Sequence, residues 1–501
     1  MTSPRVAILG AGAAGLCVAI KLIEAGVDDV TILEKSDGVG GTWRANTYPG
    51  AACDVPSHLY SFSFAPKRDW TRKFAEQPEI LRYFEDVCDR YDLRRRIRFH
   101  TEVTSARFDD EAGTWTLESV TTDDGERGPV ASETFDVVVS GLGQLNRPYV
   151  PDIAGLDGFD GPVFHSAAWD HDVDLTGKRV AVVGNGASAL QFIPHVARVA
   201  EHVTIFQRSA NWILPKPDRA FSERERWVFR HVPGAERLFR WRVYWRLEMN
   251  FLLMRRSSRL GRLATKAIAK QLRKMVSDRL PEAALVPDYP LGCKRILISN
   301  DYYQTLLRPD VDVELSHIAR VEPDAVVTED GVRHEVDAIL LGTGFRSTEF
   351  LAPMVVHGRG GVDLNDRWAG GATAHLGVAV SGFPNFFMLY GPNTNLGHNS
   401  IIFMIEAQSR YIAKVVKELA TDRLAWVDVR SDVMDRYNTE LQREADGTVW
   451  VADCDNWYKN DQGVVTNNWP AFTVSYWNRM RHYRPYEFVR HARTAPVGAD
   501  A

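Results

Sequence analysis

Two glycine-rich turns in this 501-residue chain have the spacing that cradles a pyrophosphate. The first holds Gly10, Gly12, Ala13 and Gly15; the second holds Gly184, Asn185, Gly186, Ala187, Ser188 and Ala189. The first glycine of such a turn allows the sharp reversal, and the second lets backbone approach the phosphates. The third small residue lets the following helix pack close to its strand. The helix N-terminus then offers free N–H groups and a positive dipole end to phosphate oxygens. Glu34 lies 19 residues after Gly15, and Arg208, next to Gln207, lies 19 residues after Ala189. A carboxylate at that place accepts hydrogen bonds from ribose hydroxyls and repels a 2′-phosphate, whereas a guanidinium pairs with one. The first turn therefore predicts an unphosphorylated adenosine ribose, as in FAD or NAD. The second predicts NADPH.

The elements that must hold these residues are legible on either side of each turn. Residues 5–35 and 178–209 both read as apolar strand, glycine turn, helix and second strand. Asp136–Gly143 and Asp337–Gly344 are apolar runs ending in Gly-x-Gly, the pattern of buried strands in a parallel sheet. Pro148 and Pro151 mark a linker. The predicted fold class is α/β, with two Rossmann-like dinucleotide-binding domains. The FAD domain is expected from residues 1–145 and 346–501. The NADP domain is expected over 150–342, with a helical insertion at about 215–285. Within residues 221–280 arginines interleave with aromatics such as Trp227, Phe229, Trp241, Tyr244 and Trp245. Such a helix can lie on a membrane or a nucleic acid. The preferred reading packs the aromatics on the domain or lines a substrate cavity with them. The tail after Ala492 is small, polar and aperiodic, and is read as disordered.

Composition narrows the function classes. A net charge of −5 gives no overall field for nucleic acid or an anionic membrane. The five cysteines (Cys17, Cys53, Cys88, Cys293, Cys454) are scattered, odd in number and form no C-x-x-C pair. That argues against a disulfide framework, a metal site and a dithiol redox centre, and fits a reducing cytoplasm. Val6–Ile20 is apolar, but its three glycines mark a strand and turn rather than a secretion signal. No stretch reaches the roughly 18 apolar residues of a membrane span. The expectation is a cytoplasmic protein with no stable membrane insertion, no nucleic acid and no protein partner.

Three further motifs, and a fainter fourth, carry a resemblance to a family. FDGPVFHSAAWD, residues 159–170, reads F-x-G-x-x-x-H-x-x-x-W-D and lies just before the second glycine turn. GGTWRANTYPGAACD, residues 40–54, reads G-G-x-W-x-x-x-x-Y-P-G-x-x-x-D. Lys294-Arg295 is followed by Asp301-Tyr302-Tyr303, and CDNWY occupies residues 454–458. Together with both turns these resemble the type I Baeyer–Villiger monooxygenases of the flavin-containing monooxygenase superfamily, over nearly the whole chain. Trp169 stands where related S- and N-oxygenases carry Tyr or Phe, which favours the ketone-oxidising branch; the S- or N-oxygenase of the same architecture is the alternative.

The resemblance implies an FAD enzyme that uses NADPH and O2 to insert an oxygen atom beside a ketone carbonyl. It implies a C4a-peroxyflavin and a Criegee adduct, with an ester or lactone as product. Both species are anionic and need a fixed cation in a site that excludes water. Arg295 is the candidate cation, because its guanidinium stays charged in any environment, and Asp54 is the residue expected to orient it. Lys294 is expected to help Arg208 hold the 2′-phosphate, and Trp457 to cover the nicotinamide. Gly41, Thr42 and Trp43 are expected against the flavin, and Tyr60 and Val103 are further FAD candidates carried by the resemblance. His165 and Trp169 are expected to govern domain motion and NADP handling rather than chemistry. GPNTNLGHNS, residues 391–400, either offers backbone donors near the flavin or is a plain turn. A ketone, or a sulfide, is the expected small-molecule substrate.

Overall fold

The computed structural model describes residues 3–123, 126–452, 454 and 456–493. The tail beyond residue 493, for which disorder was expected, lies outside the described residues. Two five-stranded parallel sheets dominate the chain, and each is built around one glycine turn.

In the first sheet, β1 (Val6–Leu9) leads through Gly10 into α1 (Ala13–Glu24) and then β2 (Val30–Leu33). All four β1 residues are buried, as the centre of a doubly covered sheet requires. The order across the sheet is Phe386–Met388, Val137–Ser140, β1, β2, Ile97–Arg98. Its edge strand therefore arrives from far along the chain. In the second sheet, β3 (Arg179–Val183) leads through Gly184 into α2 (Ala187–Val196) and β4 (His202–Phe206). Its order is Val163–His165, Ala338–Leu341, β3, β4, Val311–Glu314. The two sheets thus repeat one plan. Even the hydrogen bonds correspond: Gly10 N–H donates to Leu33 O and Gly184 N–H to Phe206 O, while Gly141 and Gly342 donate to the last residues of β1 and β3.

Between β4 and Val311 the chain makes three longer helices, α3 (Glu223–His231), α4 (Ala235–Glu248) and α5 (Arg259–Leu272). Ser222 starts α3 with a reciprocal capping box to Glu225. The packing expected for the aromatics here holds for Phe229 and Tyr244, which are buried, but not for Trp227, Trp241 and Trp245, which are exposed. For Trp241 and Trp245 the reason is that α4 is apolar on two faces and only one has a partner. Val243 and Tyr244 pack against Leu59, and Arg240 donates to the carbonyls of His58 and Ser61. After residue 391 a buried polar loop enters α6 (Ile401–Thr421), which packs along α1. No helix among the described residues is long and apolar enough to cross a membrane.

The cysteine reading is overturned at one pair. Cys293 and Cys454, 161 residues apart, form a disulfide. A search for local pairs cannot see it, because only the folded chain brings the two segments together. The bond lies in an apolar cluster with Trp212, Leu272 and Leu291, with Cys293 fully buried, so it is a structural staple rather than an exposed redox centre. It also removes the cysteine argument for a reducing compartment.

Candidate active site

Each glycine turn is fitted to a dinucleotide by its backbone. Gly10 and Gly184 adopt φ of +93° and +98°, the left-handed region that favours glycine. A Cβ on Gly15 would fall 1.9 Å from the Gly10 carbonyl oxygen, so α1 can start against β1 only with glycine there. Both α1 and α2 begin at a glycine, Gly12 and Gly186, with no side-chain cap and no acidic residue in the first turn. Their first N–H groups are left to an anionic ligand.

Around the first turn, Glu34 is buried and accepts from Ala11 N–H at 2.6 Å and from Ser36 N–H at 2.9 Å. Gly40 N–H donates to Ala11 O, so the Gly40–Gly41 pair lies directly over the turn, and a Cβ on Gly41 would stand 3.0 Å from Gly12 Cα. Thr42 and Trp43 follow in a one-turn helix, and the Trp43 indole donates to Tyr60 Oη at 3.0 Å. Val103, in the strand Thr101–Asp109, packs against the apolar cluster that includes Leu9 and Leu33 at the ends of β1 and β2. The residues expected at FAD thus surround one glycine turn.

Around the second turn, Asn185 donates to Gln207 Oε1 and to Ser209 O, tying the turn to the end of β4. Gln207 is buried and donates to Ala284 O. Arg208 is exposed and makes no ion pair among the described residues. Lys294 reaches the same strand end, its Nζ 3.2 Å from Ser209 Oγ and above the Tyr289 ring. Two cations therefore converge beside the turn. His165 lies on the edge strand of this sheet and Trp169 packs on Phe192 of α2. The His165 Nδ1 accepts from Ala167 N–H, and burial holds its pKa below the usual histidine value.

Where the two halves face each other, Arg295 Nη2 donates to Asp54 Oδ2 at 3.0 Å. Burial opposes the charge on Arg295, but the Asp54 carboxylate, the Tyr458 and Tyr390 phenols and the hydrogen bond to Asp54 together outweigh it, so the pKa stands above the ordinary arginine value. The Arg295 side chain is nonetheless 38% exposed, so part of its guanidinium is left accessible beside Asp54. Tyr48, Tyr60, Tyr390 and Tyr458 all stand within its electrostatic reach. Burial pushes Tyr48 and Tyr458 up to about 12, and Tyr60 and Tyr390 further, so the four phenols remain protonated donors at neutral pH. Trp457 packs against Tyr458, and its carbonyl accepts from Asn467.

Several residues at this seam have no local signature. Gln191 of α2 accepts from Tyr48 Oη and Ala52 N–H and donates to Ala52 O, joining the GGxW segment to the second turn's helix. Tyr390 donates to Asn395 in the 391–400 loop. Glu248, at the end of α4 and fully buried, accepts from Asn399, Thr473 and Val474 N–H. Burial works against its charge, and these donors together with His398 hold its pKa below the usual glutamate value. The loop at 391–400 is therefore anchored on the insertion rather than left as a plain turn. Each partnership spans more than a hundred residues or a loop, which periodicity does not reveal.

The family model described as flavin-binding monooxygenase-like matches residues 3–449. A Baeyer–Villiger monooxygenase of Pseudomonas aeruginosa is 42% identical over 497 residues, 99% of this chain and 92% of that protein. A Baeyer–Villiger monooxygenase of Streptomyces coelicolor is also 42% identical, covering 99% of this chain and 95% of that one. Among solved structures, OTEMO in complex with FAD and NADP superposes with a TM-score of 0.85 at 27% identity, covering 96% of this chain and 98% of that one.

Proposed function

The chain belongs to the flavin-binding monooxygenase-like family and is an FAD- and NADPH-dependent enzyme of its Baeyer–Villiger branch, in which we propose that Arg295, held by Asp54, is the fixed cation of ketone oxygenation. When bound, FAD would supply the redox and oxygen-activating chemistry, with NADPH as the reductant. The observation that carries the reading is the Arg295–Asp54 pair, which stands where the GGxW segment meets the second turn's domain.

The guanidinium is half-buried beside Asp54, where a charge counts for more than in water. It stabilises negative charge developing on oxygen and cannot lose its own proton to do so. Asp54 fixes the direction of the fork and leaves its remaining N–H donors to substrate. The protonated tyrosines around it donate hydrogen bonds without competing for charge. Glu34 selects the ribose of FAD, and Arg208 with Lys294 holds the 2′-phosphate of NADPH. The domains follow the sheets: residues 1–145 with 346–501 for FAD, and 150–342 for NADP.

Replacing Arg295 by Ala is expected to lower ketone turnover about 100- to 1,000-fold, the usual effect of losing one charge-stabilising group. NADPH oxidation then continues with release of H2O2. Product analysis by gas chromatography beside NADPH consumption checks this. Undiminished ester or lactone formation in Arg295→Ala would overturn the assignment.

A further inference from the structure

The exposed face of α4 joins apolar and basic side chains in a way the reaction does not use. Leu238, Trp241, Trp245 and Met249 recur at intervals of three and four, so they share one face, and they are 71%, 61%, 39% and 52% exposed. Arg237 borders that stripe on one side, and Arg242 and Arg246 border it on the other. All three arginines are exposed and make no ion pair among the described residues. The buried face is fixed by Val243, Tyr244 and the Arg240 hydrogen bonds, so the stripe is displayed rigidly. The trend continues in α5, where Leu260 and Leu263 stand exposed among Arg259, Arg262 and Lys266. Residues 221–280 hold sixteen Lys and Arg against five Asp and Glu, in a chain whose net charge is −5.

We propose that this face of the helical insertion docks peripherally on an anionic phospholipid surface. Tryptophans set among arginines suit the headgroup level, where the ring is half apolar and the cation meets a phosphate. The charge decides between occupants. A second copy of the chain would bring the same unpaired arginines face to face. A nucleic acid would satisfy the arginines but leave Leu238 and Met249 without apolar partners. A bilayer surface supplies both an anionic layer and hydrocarbon below it.

The test is flotation of the FAD-loaded full chain with large vesicles of phosphatidylcholine alone, or of phosphatidylcholine mixed with phosphatidylglycerol. The expected result is flotation with the mixed vesicles at low ionic strength, release at high salt, and a blue shift of tryptophan emission on binding. The triple variant R237Q/R242Q/R246Q is expected to lower partitioning roughly a hundredfold, at about fivefold per cation near the surface. The variant L238S/W241S is expected to lower it with the arginines intact and to abolish most of the emission shift. FAD content and ketone turnover without vesicles report that both variants are folded, since none of these residues lies at the site. Failure to float with the mixed vesicles at low salt would overturn the proposal. So would a face whose substitutions disperse a dimer or release bound RNA while leaving flotation unchanged.

Discussion

The two glycine turns share a strand order and corresponding hydrogen bonds, yet one is closed and the other open. At the first, the Glu34 carboxylate is buried and already bonded to Ala11 and Ser36, and Gly40–Gly41 lies across the turn. At the second, Arg208, at the corresponding place, is exposed and makes no ion pair among the described residues. The helix contacts differ in the same sense. Gly15 leaves no space for a Cβ, whereas Ala189 is accommodated because Gly342 opposite it has none: a Cβ on Gly342 would meet that of Ala189 at 2.7 Å. One plan thus yields a tight, preorganised seat suited to a resident FAD. The other yields an open seat suited to a nucleotide that arrives, delivers a hydride and leaves.

The contrast can be broken most severely at Gly15. Gly15→Ala drives a methyl into a backbone oxygen, which no rotamer change relieves, and is expected to cost more than the ~1–3 kcal/mol of ordinary overpacking. The expected outcome is protein purified without FAD, or not folded, read from the flavin absorbance per chain. Next is Gln191→Ala at the seam, which leaves Ala52 N–H without its acceptor and is expected to cost about 1–3 kcal/mol. Thermal unfolding of the FAD-loaded protein measures that loss, and coupling of NADPH use to product should fall with it. The smallest change is Ala189→Gly, expected to cost about 1 kcal/mol through added backbone freedom in a helix while FAD content stays whole. Equal tolerance at Gly15 and Ala189 would erase the difference between the turns.

Much of this was legible before folding. The glycine spacing, the matched offsets to Glu34 and Arg208, and the strands ending in Gly-x-Gly all report local backbone requirements, which leave a local pattern. The Asp54–Arg295 pair was reachable only through the resemblance, since 241 residues separate its members. What stayed hidden joins distant segments. Cys293 meets Cys454, Gln191 meets Tyr48, and Glu248 meets Asn399 only in the folded chain. The exposed Trp241 and Trp245 escaped the sequence reading for a different reason. A helix that is apolar on two faces gives no sequence sign of which face finds a partner, and α4 covers only the face toward Leu59.

The central claim, that two similar turns hold different nucleotides by opposite charges, is tested most directly at Arg208. The measurement is kcat/KM for NADPH and for NADH in the parent enzyme and in Arg208→Ala, with FAD content determined in both. Loss of a charge-assisted contact of about 1.5–3 kcal/mol predicts a roughly 10- to 100-fold drop for NADPH. The value for NADH and the FAD content should be nearly unchanged. A variant that keeps its preference for NADPH, or that loses FAD instead, would contradict the account.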